Sequence, residues 1–414
     1  MRKASRIAPV VVTAAVALFS MDATAVFAGP LDLEVIHNWT SGGERNALDT
    51  IANAYEAAGG TWIDTATADS QVAVTTTRVL GGDPPGSAKF NTGFPMEQLY
   101  EAGLLDNVDE VAAAQDWKSK LPKFIWEAIT RDGHVVAVPI NLQSHMFMWY
   151  SKEVLEKSGV TSEPATYDEL FAALDQIAAA GFIPLAVGGQ PWQEAELFNK
   201  VTIGVAGPQL YYDLYQGDIK AAVASDAFAQ VVDVFGRLRN YIDPGSPGRS
   251  WPETTNLVIA NKAGFQVMGD WAKGEFSAAG LTPGVEYGCM EGPGDRAVVL
   301  DGDVFIFPKN PAQREGQLKL AEVLLSSELQ VDFNKVKGSM PVRLDTDVST
   351  FDACTKAAMA SIQDPKDQVP HLAFFLSDDT RAEIDTAISV FWNDPNATAE
   401  SFGAALVNAF ESTK

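Results

Sequence analysis

The sequence predicts an α/β protein of two lobes, and three observations carry that expectation. Apolar strand-like runs alternate with helical patterns along the whole chain. The 414 residues exceed what a single hydrophobic core usually serves, and 46% of them are hydrophobic. No long linker, low-complexity tract or solenoid repeat is visible, so short crossings must join the lobes.

The elements follow in order. Residues 1–28 place Arg2, Lys3 and Arg6 before an apolar run from Ile7 to Phe19, then end on Val26-Phe27-Ala28, which predicts a removed export signal. The run is short of the roughly 20 residues a membrane span needs. A lipid anchor would need a cysteine just after it, whereas the two cysteines are Cys289 and Cys354. In an oxidising compartment these two either pair or stay buried as thiols.

Leu33 to Glu44 reads LEVIHNWTSGGE, a strand running into a polar, glycine-rich turn. A helix follows, because Leu48, Ile51, Ala52 and Tyr55 repeat at helical spacing until Gly59 and Gly60. The turn thus sits where open α/β sheets bind ligands. Trp39 offers a ring face there, and Ser41, Glu44 and the amides around Gly42 and Gly43 offer partners for hydroxyls. A plain helix cap beside a core tryptophan fits the same residues.

Further strands are expected at Val135–Ile140, Phe182–Val187, Gly264–Met268 and Val298–Phe307. Thr166 and Glu169 form a capping box before Leu170, and Ser225 precedes the apolar series Phe228, Val231, Val232 and Phe235. Amphipathic helices are expected over Gln317–Leu325 and Ala399–Phe410. The polar stretch from Asn141 to His145, between two apolar runs, suits a crossing between lobes, and Leu300–Val304 suits a second. The lobes are then residues 29–139 with 303–343, and residues 140–302 with 344–414.

Asp301 and Asp303 stand two apart in a strand-like run, so both point to one face of a sheet. Met268-Gly269-Asp270-Trp271-Ala272 repeats the strand-to-helix turn with an aromatic. Trp39 and Trp271 on facing lobes would sandwich a sugar, whose C–H face fits a ring and whose hydroxyls need polar partners. Core packing is the competing role for Trp271, and equally for Trp192. Lys89 and Lys337, judged alone, read as solvated surface charges. Gly81–Gly86 lacks the Lys-Ser/Thr of a phosphate loop. His37, His134, His145 and His371 show no metal-ligand spacing, no nucleophile elbow is found, and no metal or cofactor is expected. The formal charge of −24 repels nucleic acid and anionic lipid, which leaves neutral solutes as the natural partners.

Taken together, the export signal, HNWTSGGE, GDPPGSAKF, GFQVMGDWAKGEF, LDGDVFIFPK and KGSMPVRLDTDVSTFDAC resemble the periplasmic glucose/mannose-binding proteins of bacterial ABC importers, over essentially the whole mature chain. The resemblance implies a type II periplasmic-binding-protein fold, with the ligand cleft between lobes joined by a short multi-strand hinge. It implies a monomeric, non-enzymatic periplasmic protein that captures glucose or a related aldose and hands it to membrane permease subunits. Its motifs place Trp39, Ser41, Glu44, Lys89, Trp271, Asp301, Asp303, Lys337 and His371 around the ligand. Asn38 stands where the family often has a second aromatic, and Asp301 where an asparagine is common. The same scaffold carrying a disaccharide, glycoside or sugar derivative is the alternative. An exported glycosidase using Glu44, Asp301 and Asp303 is the rival from another class.

Overall fold

The computed structural model describes residues 29–67, 70–294 and 297–413, and the export signal lies outside them. Its first sheet orders the strands Thr61–Ala66, Asp32–His37, Ser87–Asn91, Asp303–Ile306 and Ala137–Pro139. The first three are parallel and the Asp303–Ile306 strand runs against its neighbours. The second sheet orders Tyr287–Met290, Phe147–Ser151, Ala263–Met268 and Ile183–Ala186. All six residues of Ala263–Met268 are buried, as a strand covered on both faces requires. Phe265 and Val267 join one apolar cluster with Phe198, Phe235 and Phe402, while Met268 joins another that reaches Leu33, Phe305 and Phe333.

Helix boundaries follow local chemistry. The Gly42–Ala57 helix is capped by Ser41, Tyr167–Ala179 by Thr166 and Asp226–Leu238 by Ser225, each hydroxyl accepting a free amide of the first turn. Helices also cover Arg314–Leu324 and Ala399–Ser412. Pro191–Tyr215 begins with proline, whose missing amide costs nothing there, and kinks at Gly207, where φ is 74°.

Between the sheets lies a small third one. Gln143–Ser144 pairs antiparallel with Val298–Asp301, which pairs parallel with Gln368–Pro370. The chain leaves the first sheet at Pro139, passes through Gln143 and enters the second at Phe147. Its return runs through Asp301-Gly302-Asp303. Asp301 and Asp303 therefore belong to two strands in two sheets, which corrects the single run expected from spacing. Gly302 is the joint: a Cβ there would collide with the Asn141 carbonyl, and its own amide and carbonyl both meet Thr92.

Cys289 and Cys354 form a disulfide that ties Tyr287–Met290 to the Ala353–Ser361 helix across a separation of 65 residues. Closing a loop of that length stabilises the fold by about 4 kcal/mol on the chain-entropy account. Cys354→Ser is expected to lower the unfolding free energy by that order in urea titrations. A loss below about 1 kcal/mol would show that packing alone holds the loop.

Candidate functional site

A cavity of about 290 Å³ lies where the three sheets meet. Trp39, Glu44, Lys89, Trp271, Asp301, Asp303, Lys337 and His371 all line it. Ser41 is not among the lining residues; its hydroxyl caps the Gly42–Ala57 helix and donates to Glu44 Oε2 at 3.2 Å. The lysines are not solvated. Lys89 is 4% exposed and Lys337 1%, which corrects their reading as surface charges.

Two ion pairs, each with a buried lysine, form the wall on the side of the first sheet. Lys89 Nζ lies 2.7 Å from Asp303 Oδ1, and Lys337 Nζ donates to Glu44 Oε1 at 3.0 Å. Burial disfavours the Lys337 charge, but Glu44 and Asp303 outweigh it and raise its pKa. Both ammonium groups also sit beside the Trp39 ring, 5.5 and 5.3 Å from its centroid. Phe333 packs on Trp39 at 5.6 Å and Phe305 meets it edge-on at 6.1 Å. Trp39 thus anchors the wall and shows little open ring face.

The opposite wall gathers three indoles, Trp192, Trp251 and Trp271, with Trp192 and Trp271 at 6.4 Å between centroids. Trp271 stands on the turn before the Ala272–Ala278 helix, as its sequence setting suggests. Trp192 stands at the start of the Pro191–Tyr215 helix, which also brings Glu196 and Asn199 to the cavity one and two turns on.

The floor is the crossing itself. Asp303 Oδ2 accepts from Asn141 at 2.9 Å, and Asp301 Oδ2 from Asn91 at 3.0 Å. His145 lies between two carboxylates, with Nδ1 2.7 Å from Glu196 and Nε2 2.8 Å from Asp301. Burial opposes its charge, yet Asp301 and then Glu196 prevail, so its pKa lies well above the ordinary value. His371 stacks on His145 at 4.2 Å, and its Nδ1 accepts the Ala373 amide. Burial, the neighbouring imidazolium and Arg381 push the His371 pKa well down, so that ring is neutral. His145, Asp301 and His371 bring possible metal-ligand atoms within 4.8 Å of one another, which sequence spacing does not reveal. The rings lie within 14° of parallel, so their nitrogen lone pairs occupy separate planes and do not converge on one ion.

His145 Nε2 and Asp301 Oδ1 answer each other, whereas Glu196 Oε2 is buried without a hydrogen bond among the described residues. Such an atom is costly unless a polar ligand meets it. Sequence reading named Asp301 here but missed His145 and Glu196, along with Gln143, Arg381 and Asp385 on the same cavity. Burial pushes the Asp385 carboxyl up to about 7, with Arg381 opposing and Glu196 adding to the rise. Only the polar stretch Asn141–His145 had signalled anything, as a crossing.

Behind Trp271, Asp270 is 2% exposed and accepts the Ser144 amide at 2.9 Å. Burial raises its pKa from 3.8 to about 8, against the opposing pull of that amide, Lys337, His145 and Lys273. The folded state therefore holds this proton after an unfolded chain has lost it. The resulting stabilisation is full below the unfolded value and disappears as pH rises through about 8. Asp270→Asn keeps an acceptor for Ser144 and removes the titration. Its unfolding free energy, relative to the unsubstituted protein, is expected to climb with pH across that interval and level off above it. A pH-independent difference in denaturant titrations would refute the assignment.

Residues 40–331 match the family model described as bacterial extracellular solute-binding protein. A probable sugar-binding periplasmic protein of Brucella melitensis is 39% identical over 339 residues, 80% of each chain. One of the same description from Rhizobium meliloti is 37% identical over 356 residues, 84% of this chain and 85% of its own. The solved bacterial solute receptor AcbH, described as having an exclusive preference for β-D-galactopyranose, superposes with a TM-score of 0.78 at 18% identity, covering 93% of this chain and 99% of that one. The fold is thus that of two-lobe binding proteins, and these relatives are binding proteins rather than enzymes. The chain belongs to the bacterial extracellular solute-binding proteins.

Proposed function

We propose that this protein is the periplasmic receptor of an ABC importer, and that it captures one monosaccharide, glucose or a close aldose, between its lobes for delivery to a membrane permease. The observation that carries the reading is the matching of the cleft's cations by carboxylates, facing a corner of indoles. Lys89, Lys337, His145 and Arg381 set four cations against the carboxylates of Asp303, Glu44, Asp301 and Glu196, so the cleft suits an uncharged guest. Glu196 Oε2, with the Asn38, Asn91 and Gln143 amides on the same cavity, suits hydroxyls, and Trp271 with Trp192 suits the apolar face of a pyranose. The 290 Å³ volume lies at the small end of ligand sites, about 300–1,000 Å³, which favours one ring over a disaccharide or longer glycoside.

The relatives named as sugar-binding periplasmic proteins support the compartment and the ligand class. In this reading the lobes comprise residues 29–139 with 303–343, and 140–302 with 344–414, and Trp39, Glu44, Lys89, Trp271, Asp301, Asp303, Lys337 and His371 contact the sugar. Ser41 acts indirectly, by fixing the turn that carries Glu44. Closure is favoured by the sugar's preference for the closed form.

D-Glucose or an epimer is expected to shift tryptophan fluorescence at micromolar concentration, and Trp271→Ala to abolish the response. Saturating aldoses that leave both fluorescence and melting temperature unchanged would reject the ligand assignment. Release of product from aryl glycosides, lost in Glu44→Gln, would reject the receptor reading.

A further inference from the structure

The Ser41–Glu44 turn meets the helix that carries Gly274 and Glu275 directly. Gly43 N–H donates to Glu275 Oε1 at 2.8 Å, a buried bond linking residues 232 apart in the chain. Gly43 lies in the first turn of the Gly42–Ala57 helix, which follows the Asp32–His37 strand of the first sheet. Glu275 lies in the Ala272–Ala278 helix, which is bound to the second sheet by Phe276 stacking on Tyr287 at 4.2 Å and lying 5.6 Å from Trp149. The bond therefore spans the lobes. Its chemistry is favourable: a carboxylate satisfies one of the free amides at a helix N-terminus, where Ser41 already serves the Glu44 amide.

Glycine makes the approach possible. A Cβ on Gly43 would fall 2.7 Å from the Gly274 carbonyl oxygen and 2.8 Å from the Glu275 amide, both rigid backbone. A Cβ on Gly274 would fall 3.2 Å from the Val336 and Lys337 carbonyls. Gly274 and Glu275 thus press on the two elements that carry the Glu44–Lys337 pair of the cleft wall.

We propose that Glu275 is a positioning residue for ligand capture: through the Gly43 amide it clamps the Glu44 turn to the opposite lobe, and the Gly43–Gly274 backbone contact sets how closely the lobes approach. This rests on the reading of the cleft as a sugar site. The clamp holds the Glu44 turn in the arrangement in which the lobes meet, so it adds to the share of receptor in that binding-competent arrangement, and apparent affinity scales with that share.

The test combines small-angle scattering of the ligand-free protein with sugar titration. Glu275→Ala and Gly43→Ala are expected to enlarge the ligand-free radius of gyration and to weaken sugar binding about ten-fold or more, the scale of one lost hydrogen bond to a charged group. Glu275→Gln, which keeps an acceptor, is expected to fall between Glu275→Ala and the unsubstituted protein. A merely structural role would lower the melting temperature and leave radius and affinity unmoved; that outcome in both alanine variants overturns the proposal. If the unsubstituted protein binds no aldose, the sugar reading fails separately, and the ligand-free radii still decide the clamp.

Discussion

Neutralising two carboxylates on one crossing is the constraint around which this molecule is organised. Asp301 and Asp303 are both almost wholly buried on either side of Gly302, and side chains so polar need partners when taken out of water. Each is answered by elements brought from far away in sequence: Lys89 and Asn141 for Asp303, His145 and Asn91 for Asp301. Those answers fix the order of the strands that meet at the cleft. Removing Asp303 would leave the Lys89 cation unmatched and removing Asp301 would leave His145 on Glu196 alone, so the ion pairs act as register marks for the crossing.

Aromatic groups divide their labour across the cavity. Trp39 is held by Phe305 and Phe333 and flanked by both lysine ammonium groups, which makes it the surface that keeps those cations in place. Trp271 and Trp192 stand on the other side with their ring planes inclined by 48°, nearer to a corner than to a flat wall. An expected sandwich of two indoles thus becomes a corner of indoles facing a wall of paired charges. Asn38, where a second aromatic is common in the resembling family, lines the cavity as an amide and adds polar capacity on the side where Trp39 shows little face.

What the sequence made legible was local. The hydroxyl caps at Ser41, Thr166 and Ser225 depend on three or four neighbouring residues, and the apolar periods of the strands and helices are read within one window. The crossing at Asn141–His145 was visible because polar residues interrupt two apolar runs. What was not legible depends on pairing at a distance. Spacing placed Asp301 and Asp303 on one face of a strand-like run, although the crossing expected over Leu300–Val304 falls between them. Lys89 and Lys337 resemble ordinary surface lysines until Asp303 and Glu44 are brought to them. Glu196, Arg381 and Asp385 lie on helices whose periodicity suits a packed surface, and nothing nearby marks them as cleft residues.

The internal matching of charge around the cleft has a consequence for the setting in which the receptor works. A guest without charge enters a site whose counter-charges are already built in, so its arrival need not displace ions from the surroundings. The mobile ions gather instead around an exterior dominated by the chain's excess of acids. Dilute and brackish media would then alter how such receptors repel one another far more than how firmly each one holds its sugar.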